Sequence, residues 1–255
     1  MMRALLRVAV LSVSTILAQA APAVAADYEA LLGGPNAIRW RSDAAWKLNL
    51  GVGLGLAPKF DYSRDNELVF LPMVDMEWRN FVFASTQRGI GVKFINTGRT
   101  EAGPRLTYDF GRSPTDDDFL DGTDEIASTP QVGAYWMSYL GAWRLSADFK
   151  YATSSYKGVE GTFGLAYGGA LTDSTNVIAG LDAHFGDKKY NEAYFGDGNF
   201  GFNDVTPFLQ LIHNMNRGMY ITLDGRLSLV LGPAKGPDFT SSRSYSASTI
   251  IGKRF

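Results

Sequence analysis

The sequence predicts an all-β fold: a transmembrane antiparallel β-barrel of about twelve strands with both termini in the periplasm. Three observations carry that expectation. Segments of about ten residues alternate apolar and polar side chains over most of the chain, aromatic residues gather at the segment ends, and the chain begins with an export leader.

The leader comes first. Arg3 and Arg7 precede and flank an apolar run from Val8 to Leu17, which ends in the small-residue stretch Ala20–Ala26. This is the pattern of a secretory signal peptide, and Ala23-Val24-Ala25 fits its small-x-small cleavage rule. Cleavage leaves 1–25 as leader, 26–45 as a periplasmic N-terminal segment and 46–255 as barrel. A membrane anchor would need about 20 apolar residues. The expected location is the outer membrane of a Gram-negative-type bacterium, in contact with lipid and lipopolysaccharide.

Composition narrows the class. The roughly 230 residues after the leader suit one all-β domain. No later segment approaches 18 uninterrupted apolar residues, while Gly (28), Phe (16) and Tyr (12) are abundant and dispersed, which favours strands over membrane helices. The absence of cysteine removes disulfides, thiolate metal sites and thiol catalysis. A net charge of −2 argues against nucleic acid as a partner.

Individual strands follow from period two. Trp46, Leu48, Leu50, Val52, Leu54 and Leu56 form one face, with Lys47, Asn49 and three glycines on the other. Trp143, Leu145, Ala147, Phe149 and Tyr151 alternate with Arg144, Ser146, Asp148 and Lys150, and Met219, Ile221, Leu223, Leu227 and Leu229 with Tyr220, Thr222, Asp224, Arg226 and Ser228. Apolar faces are expected toward lipid. Trp46, Trp78, Phe81, Tyr139 and Trp143 stand beside short connections; Phe110, Tyr151 and Phe185 stand beside long ones, giving two aromatic girdles.

A first count gives eleven strands, which cannot place both termini on one side. Within 81–95 the outward phase reads Phe81 and Phe83 before Gln87-Arg88-Gly89 but Ile90, Val92 and Phe94 after it. A slip of one residue predicts a tight turn at Thr86–Gly89, hence twelve strands and a low point in the outer rim; a bulge within one strand is the alternative. The final strand puts Tyr245, Ala247, Thr249, Ile251, Lys253 and Phe255 on one face, and a terminal aromatic is similar to the signal read by barrel-assembly machinery.

Four stretches resemble the MipA/OmpV family of outer-membrane proteins: Gly53-Leu54-Gly55-Leu56-Ala57-Pro58-Lys59-Phe60, Leu71-Pro72-Met73-Val74-Asp75, Gly103-Pro104-Arg105-Leu106-Thr107-Tyr108 with Gly111-Arg112, and Tyr194-Phe195-Gly196. Tyr62 and Asp197 depart from the family pattern, where a Gly and a small apolar residue are expected. The resemblance implies an outer-membrane barrel, linked in some members to a scaffold with a murein synthase or lytic transglycosylase and in others to adhesion or permeability. It implies no catalytic residues and no cofactor.

The residues offer little chemistry of their own. Hydrolysis would need a base beside a nucleophile. His184 is expected inward near Asp182, with Ser154 and Ser155 on a neighbouring loop, while His213 falls at the far end of the next strand and on the other phase. A lumen histidine in a polar network is the plainer expectation, and the protein is expected not to be an enzyme. The inward phase carries Lys47, Arg79, Lys93, Arg105, Arg144, Lys150 and Arg226 against Glu67, Asp75, Glu77, Asp109, Asp148, Glu160, Asp182 and Asp224. Such a near-neutral set predicts either a salt-bridged filling or a narrow wet lumen without charge selectivity.

Two loops stand out. Arg112–Ser128 holds Asp116, Asp117, Asp118, Asp121, Asp124 and Glu125 without the spacing of a calcium loop, and is expected as a solvated outer loop. Asp187–Asn203 carries Tyr190, Tyr194, Phe195, Phe200 and Phe202, enough to fold over the mouth or to present an adhesive surface. Arg39, Trp40 and Arg41 are the candidate partner surface on the periplasmic side. The expected function is non-catalytic, scaffold or adhesive contact, with a small passive diffusion pore as the alternative.

Overall fold

The computed structural model describes residues 44–255. One antiparallel sheet closes on itself. Its strands are β1 (Trp46–Pro58), β2 (Asn66–Trp78), β3 (Val82–Ser85), β4 (Gly89–Val92), β5 (Ile95–Asn96), β6 (Thr100–Asp109), β7 (Thr129–Leu140), β8 (Trp143–Ala152), β9 (Val159–Ala170), β10 (Thr175–Gly186), β11 (Gly201–Asn214), β12 (Met219–Val230) and β13 (Arg243–Arg254). A single α-helix, α1 (Lys188–Phe195), interrupts the pattern among the described residues, beside short 3-10 turns in the loops. Neighbours in sequence pair except β4 and β5, which share one flank of β6, and β1 pairs with β13. The wall therefore has twelve strand positions.

Closure follows from the sequence pattern. Each strand pairs with strands on both sides and β1 closes on β13, so the barrel can stand in hydrocarbon. No helix among the described residues is long and apolar enough to cross a membrane, so the strands must do it. Their apolar phase faces out: Val52, Leu54, Leu165, Leu209, Leu223 and Ile251 are all exposed. Trp46 stands 6.1 Å from Trp78 and Trp143 stands 5.1 Å from Tyr167 at the rim of short turns. Tyr108 and Phe110 pair at 5.4 Å near the rim of long loops.

The turn at Thr86–Gly89 exists, but for a different reason than the one read from phase. Phe83 points inward and is 1% exposed, against the ring of Tyr135 at 5.6 Å. Val82 and Ala84 take the outer face, so the even-numbered phase continues unbroken through Ile90 and Val92. Three residues close the hairpin between Ser85 and Gly89, whose φ of +71° supplies the left-handed position such loops use. The irregularity lies further on. Gly91 pairs with Arg105 and Ile95 with Ala102, four steps against three, which is a bulge at Lys93–Phe94.

Two inward or girdle assignments also change. Arg79 sits in the β2–β3 turn, exposed, with its guanidinium 5.1 Å above the Trp78 ring. Tyr139 lies on the inward phase with its hydroxyl on Met137 Sδ, so Trp136 is the outward aromatic of β7. Inside, the face made by β1, β2, β12 and β13 is apolar: Ala57, Val69, Leu71, Met73, Tyr220 and Ile250 pack together. Met73 and Ile250 can meet there because Gly51 between them has no Cβ, which would fall 2.9 Å from the Met73 methyl.

Candidate functional site: the lumen charges and the lid

The remaining inward face is charged, and its side chains pair around the wall. Glu77 accepts from Lys47 at 3.0 Å and from Lys93 at 2.6 Å, and Lys93 reaches Glu101 at 3.4 Å. Arg88 meets Asp75 at 2.7 Å across β3, and Arg105 meets Asp148 at 2.6 Å across β7. Arg226 holds Asp224 at 2.9 Å and Asp182 at 3.2 Å; Lys150 faces Glu160 at 3.5 Å. Each of these pairs joins residues on one strand or on strands at most two positions apart. Nine of these thirteen residues are under a tenth exposed, with Lys93 at 5%, Glu101 at 3% and Asp148 at 4%, while Asp75, Arg88, Lys150 and Glu160 are half-buried. Arg144 is equally buried at 5%, yet its Nε and Nη2 make no hydrogen bond.

His184 pairs with Asp204 rather than being set only by its neighbour in sequence, Asp182. Its Nδ1 lies 2.8 Å from Asp204, on the adjacent strand, and Asp182 accepts from Arg226. Asp204 also accepts from Tyr62 Oη at 2.5 Å and from Thr206 Oγ1 at 2.7 Å. Both hydroxyls are thus directed at the carboxylate, where neither serves as a nucleophile for the imidazole. Ser154 bonds Thr129 at 2.6 Å, and His213 is exposed on the far rim against Thr175.

The sequence pattern hid Asp204 because of a bulge. Between β10 and β11 the register shifts at His184/Phe185, which leaves Asn203 as an extra residue and turns both Asn203 and Asp204 inward. Asn203 Nδ2 then donates to Asn191 Oδ1 at 2.9 Å. Asn191, fully buried on α1, donates in turn to the carbonyls of Gly186 and Asn199.

Helix α1 is the lid of the barrel. Asp187 caps its start by accepting from the amides of Lys189 and Tyr190, and Gly196 ends it at φ +68°. Its aromatic side reaches residues from all round the mouth. Tyr190 and Tyr194 stack at 4.5 Å, Tyr156 of the β8–β9 loop packs on both, and Tyr62 of the β1–β2 loop lies 5.8 Å from Phe195. Val230, Ala234 and Ile126 complete this cluster. Tyr194 Oη and Tyr156 Oη both donate to Asp109, at 2.8 and 2.6 Å, and Arg112 donates to the Tyr194 carbonyl at 2.9 Å. Burial, then the nearby carboxylates, push the phenols of Tyr156, Tyr190 and Tyr194 above the ordinary value, so all three remain protonated. Tyr62, which stands where a glycine was expected, keeps a left-handed φ of +63°.

The acidic loop is ordered by its own carboxylates. Asp116 accepts from the Ser113 amide at 2.8 Å, and Asp117 from the Phe119 amide at 3.1 Å. Asp117 also meets Lys59 Nζ at 3.0 Å. Against the cost of burial, the Phe119 amide and the Lys59 ammonium hold Asp117 below the usual carboxylate value, while its hydrogen bond raises Lys59. The candidate surface Arg39, Trp40 and Arg41 lies outside the described residues.

A closed sheet of twelve strand positions with an apolar exterior, two aromatic girdles and a charged interior defines an outer-membrane β-barrel. The chain belongs to the family described as MltA-interacting protein MipA, which it matches over residues 50–196. It is a protein of the bacterial outer membrane. Among solved structures it is similar to outer-membrane expressed OmpT of Vibrio cholerae (8% identity, TM-score 0.38, 85% of this chain and 99% of that one). A bacterial polysaccharide outer membrane secretin matches at 10% identity and TM-score 0.41, over 84% of this chain and 100% of that one. OprG from Pseudomonas aeruginosa matches at 10% identity and TM-score 0.26, over 84% and 97%. No curated protein matches the chain.

Proposed function

We propose that the protein is a closed barrel that acts by contact, without catalysis, as an envelope scaffold. The family description names an interaction with MltA, and a murein synthase or lytic transglycosylase is the partner class this reading carries to the present chain. In it the short turns and both termini face the periplasm, and the long loops with α1 face outward toward lipopolysaccharide.

One observation carries the preference for contact over transport: most of the lumen charges are paired and buried. Charges lining a conducting pore must keep water beside them. These have given that water up to one another, and α1 lies across the mouth above. Two measurements test the reading. The pure barrel in a planar bilayer is expected to be silent, and a steady open conductance would replace contact by passive diffusion. Deleting 27–44 is expected to abolish recovery of murein synthases and lytic transglycosylases from envelope extracts; unchanged recovery removes Arg39, Trp40 and Arg41 from the argument.

A further inference from the structure

The rim on the side of the long loops is not uniform around the barrel. On the outward faces of β8 to β11, Phe149, Gly161, Phe185 and Phe202 stand level, because Phe149 pairs with Gly161, Gly161 with Phe185 and Phe185 with Phe202. A Cβ on Gly161 would collide with the Phe185 ring. With none there, Phe185 lies across β9, stacked on Phe163 at 5.6 Å and meeting Phe149 at 5.7 Å, Phe200 at 5.8 Å and Phe202 at 6.1 Å. Phe185 is 7% exposed under this cover, whereas the four rings around it are all exposed. Five rings without a polar atom make one continuous apolar platform at the end of the wall, which single girdle residues do not.

Three lysines stand beyond this platform. Lys157 lies in the loop joining β8 to β9, and Lys188 and Lys189 open α1 directly after β10. Gly158 brings loop and helix together, since a Cβ on it would fall 2.5 Å from the Tyr190 amide nitrogen and 2.9 Å from Asp187 Oδ1. All three lysines are exposed, and among the described residues none of them forms an ion pair. Asp187 turns its carboxylate to the amides of α1, and Glu192 Oε2 lies beside Gly198. The exposed acids Asp118, Asp121, Asp124 and Glu125 belong to the β6–β7 loop, which Lys59 on Asp117 and Arg64 over Phe119 draw toward the β1–β2 loop.

The local fold gives no reason for this cluster of cations. At the first turn of a helix a positive charge opposes the helix dipole, so an anion outside the protein accounts for Lys188 and Lys189 better than α1 does. Lys188 is three residues beyond Phe185. At about 3.3 Å per residue that places the cations on the order of 10 Å from the row of rings, the depth of one lipid headgroup.

We propose that this side of the rim is a docking surface for the phosphorylated glycolipid of the outer leaflet, lipopolysaccharide. Its acyl chains lie on Phe149, Phe163, Phe200 and Phe202, and the phosphates of its lipid A part meet Lys157, Lys188 and Lys189. A free anion would leave the platform without a purpose, and a neutral lipid would leave the lysines without one. The assignment rests on the outward orientation of the long loops given above, and not on any murein partner.

Native mass spectrometry of the full chain in detergent, with purified lipid A as the probe, tests the surface. Saturable binding is expected, tighter than that of dephosphorylated lipid A and not displaced by inorganic phosphate. Lys157→Glu, Lys188→Glu and Lys189→Glu together should weaken it about tenfold or more, with heat-modifiable migration checking that the barrel is folded. Phe200→Ser, in a loop and outside every strand ladder, should also weaken it, whereas Arg243→Glu, an exposed cation on β13, should leave it unchanged. Equal binding by the folded triple variant, equal binding of dephosphorylated lipid A, or equal loss in Arg243→Glu overturns the proposal. Displacement by inorganic phosphate would make this an ion site and overturns it as well. Detergent removes any sidedness, so this test fails only if the surface does not bind; an inverted barrel would show instead in surface labelling on cells.

Discussion

Glu77 is the most informative single position in the lumen. Its carboxylate lies between Lys47 at 3.0 Å and Lys93 at 2.6 Å, and Lys93 also faces Glu101 at 3.4 Å. Two cations and two anions make a neutral row, and none of the four is more than 8% exposed. Glu77→Gln keeps the shape and the hydrogen-bonding oxygen but leaves two ammonium groups sharing one carboxylate. Two unit charges 4 Å apart attract by about 4 kcal/mol at an effective dielectric near 20, but by only about 1 kcal/mol in water. Breaking a buried pair on one side accordingly costs about 3–5 kcal/mol. Urea unfolding of the barrel in vesicles, followed by tryptophan fluorescence and heat-modifiable migration, is expected to show a loss of that size. Adding Lys47→Met should recover at least half of it, since Lys93 and Glu101 then balance. A loss under about 1 kcal/mol, the worth of a solvated pair, with no recovery in the double variant, would refute the filled lumen and favour a water-filled pore.

Other outcomes follow from the lid, the loops and the outer face. In an alkaline titration read at 295 nm, Tyr156, Tyr190 and Tyr194 should stay protonated while exposed tyrosines ionise; because their folded values are raised, their contribution is complete below about pH 10 and is lost as pH rises further. Ionisation of every tyrosine in one step in the folded barrel would mean that the lid is open. The Lys59–Asp117 clasp has the opposite signs at its two ends. Asp117, lowered from 3.8, contributes above that pH and fails as pH falls, whereas Lys59, raised from 10.5, contributes below that pH and fails as pH rises. The protection factor of the Phe119 amide should therefore drop below about pH 3.8 and be steady from pH 5 to 9; indifference to acid would dissolve the clasp. For orientation, a cysteine at Phe119, in a long loop, should react with an impermeant maleimide on intact cells, and one at Asn216, in a short turn, only after permeabilisation. The reverse labelling would invert the barrel. Leu223→Lys, on the lipid face, should cost about 2–4 kcal/mol of folding stability, while Leu223→Phe should be neutral; equal tolerance would take Leu223 off the lipid surface.

Most of the wall was legible because a barrel strand is a local object. Period two on Trp46–Leu56, Trp143–Tyr151 and Met219–Leu229 sets the outer face of each strand whatever its neighbours are, and the parity of strands requires the turn near Gln87 even though the phase argument for it was mistaken. Phe83 misled because an aromatic in an apolar strand looks like a lipid-facing residue; only the rings of Tyr135 and the guanidinium of Arg88 make the lumen a place for it. Many of the lumen charges were likewise visible in the alternation, but Arg88, Glu101 and Asp204 were not, Arg79 proved to lie in a turn, and the partner each charge takes was hidden. His184 is two residues from Asp182 in sequence, but a one-residue bulge on β11 swings Asp204 to it and leaves Asp182 to Arg226. The lid needed the same bulge, since Asn203 anchors Asn191, and it needed Asp109, Tyr156 and Tyr62 from three other connections to meet over one mouth. By itself the sequence determined the export leader as an expectation, the alternation and the class of barrel, because these depend on residues a few positions apart. The lumen pairs and the lid depend on register between strands, and register is a property of the closed sheet, so only the tertiary structure decided them.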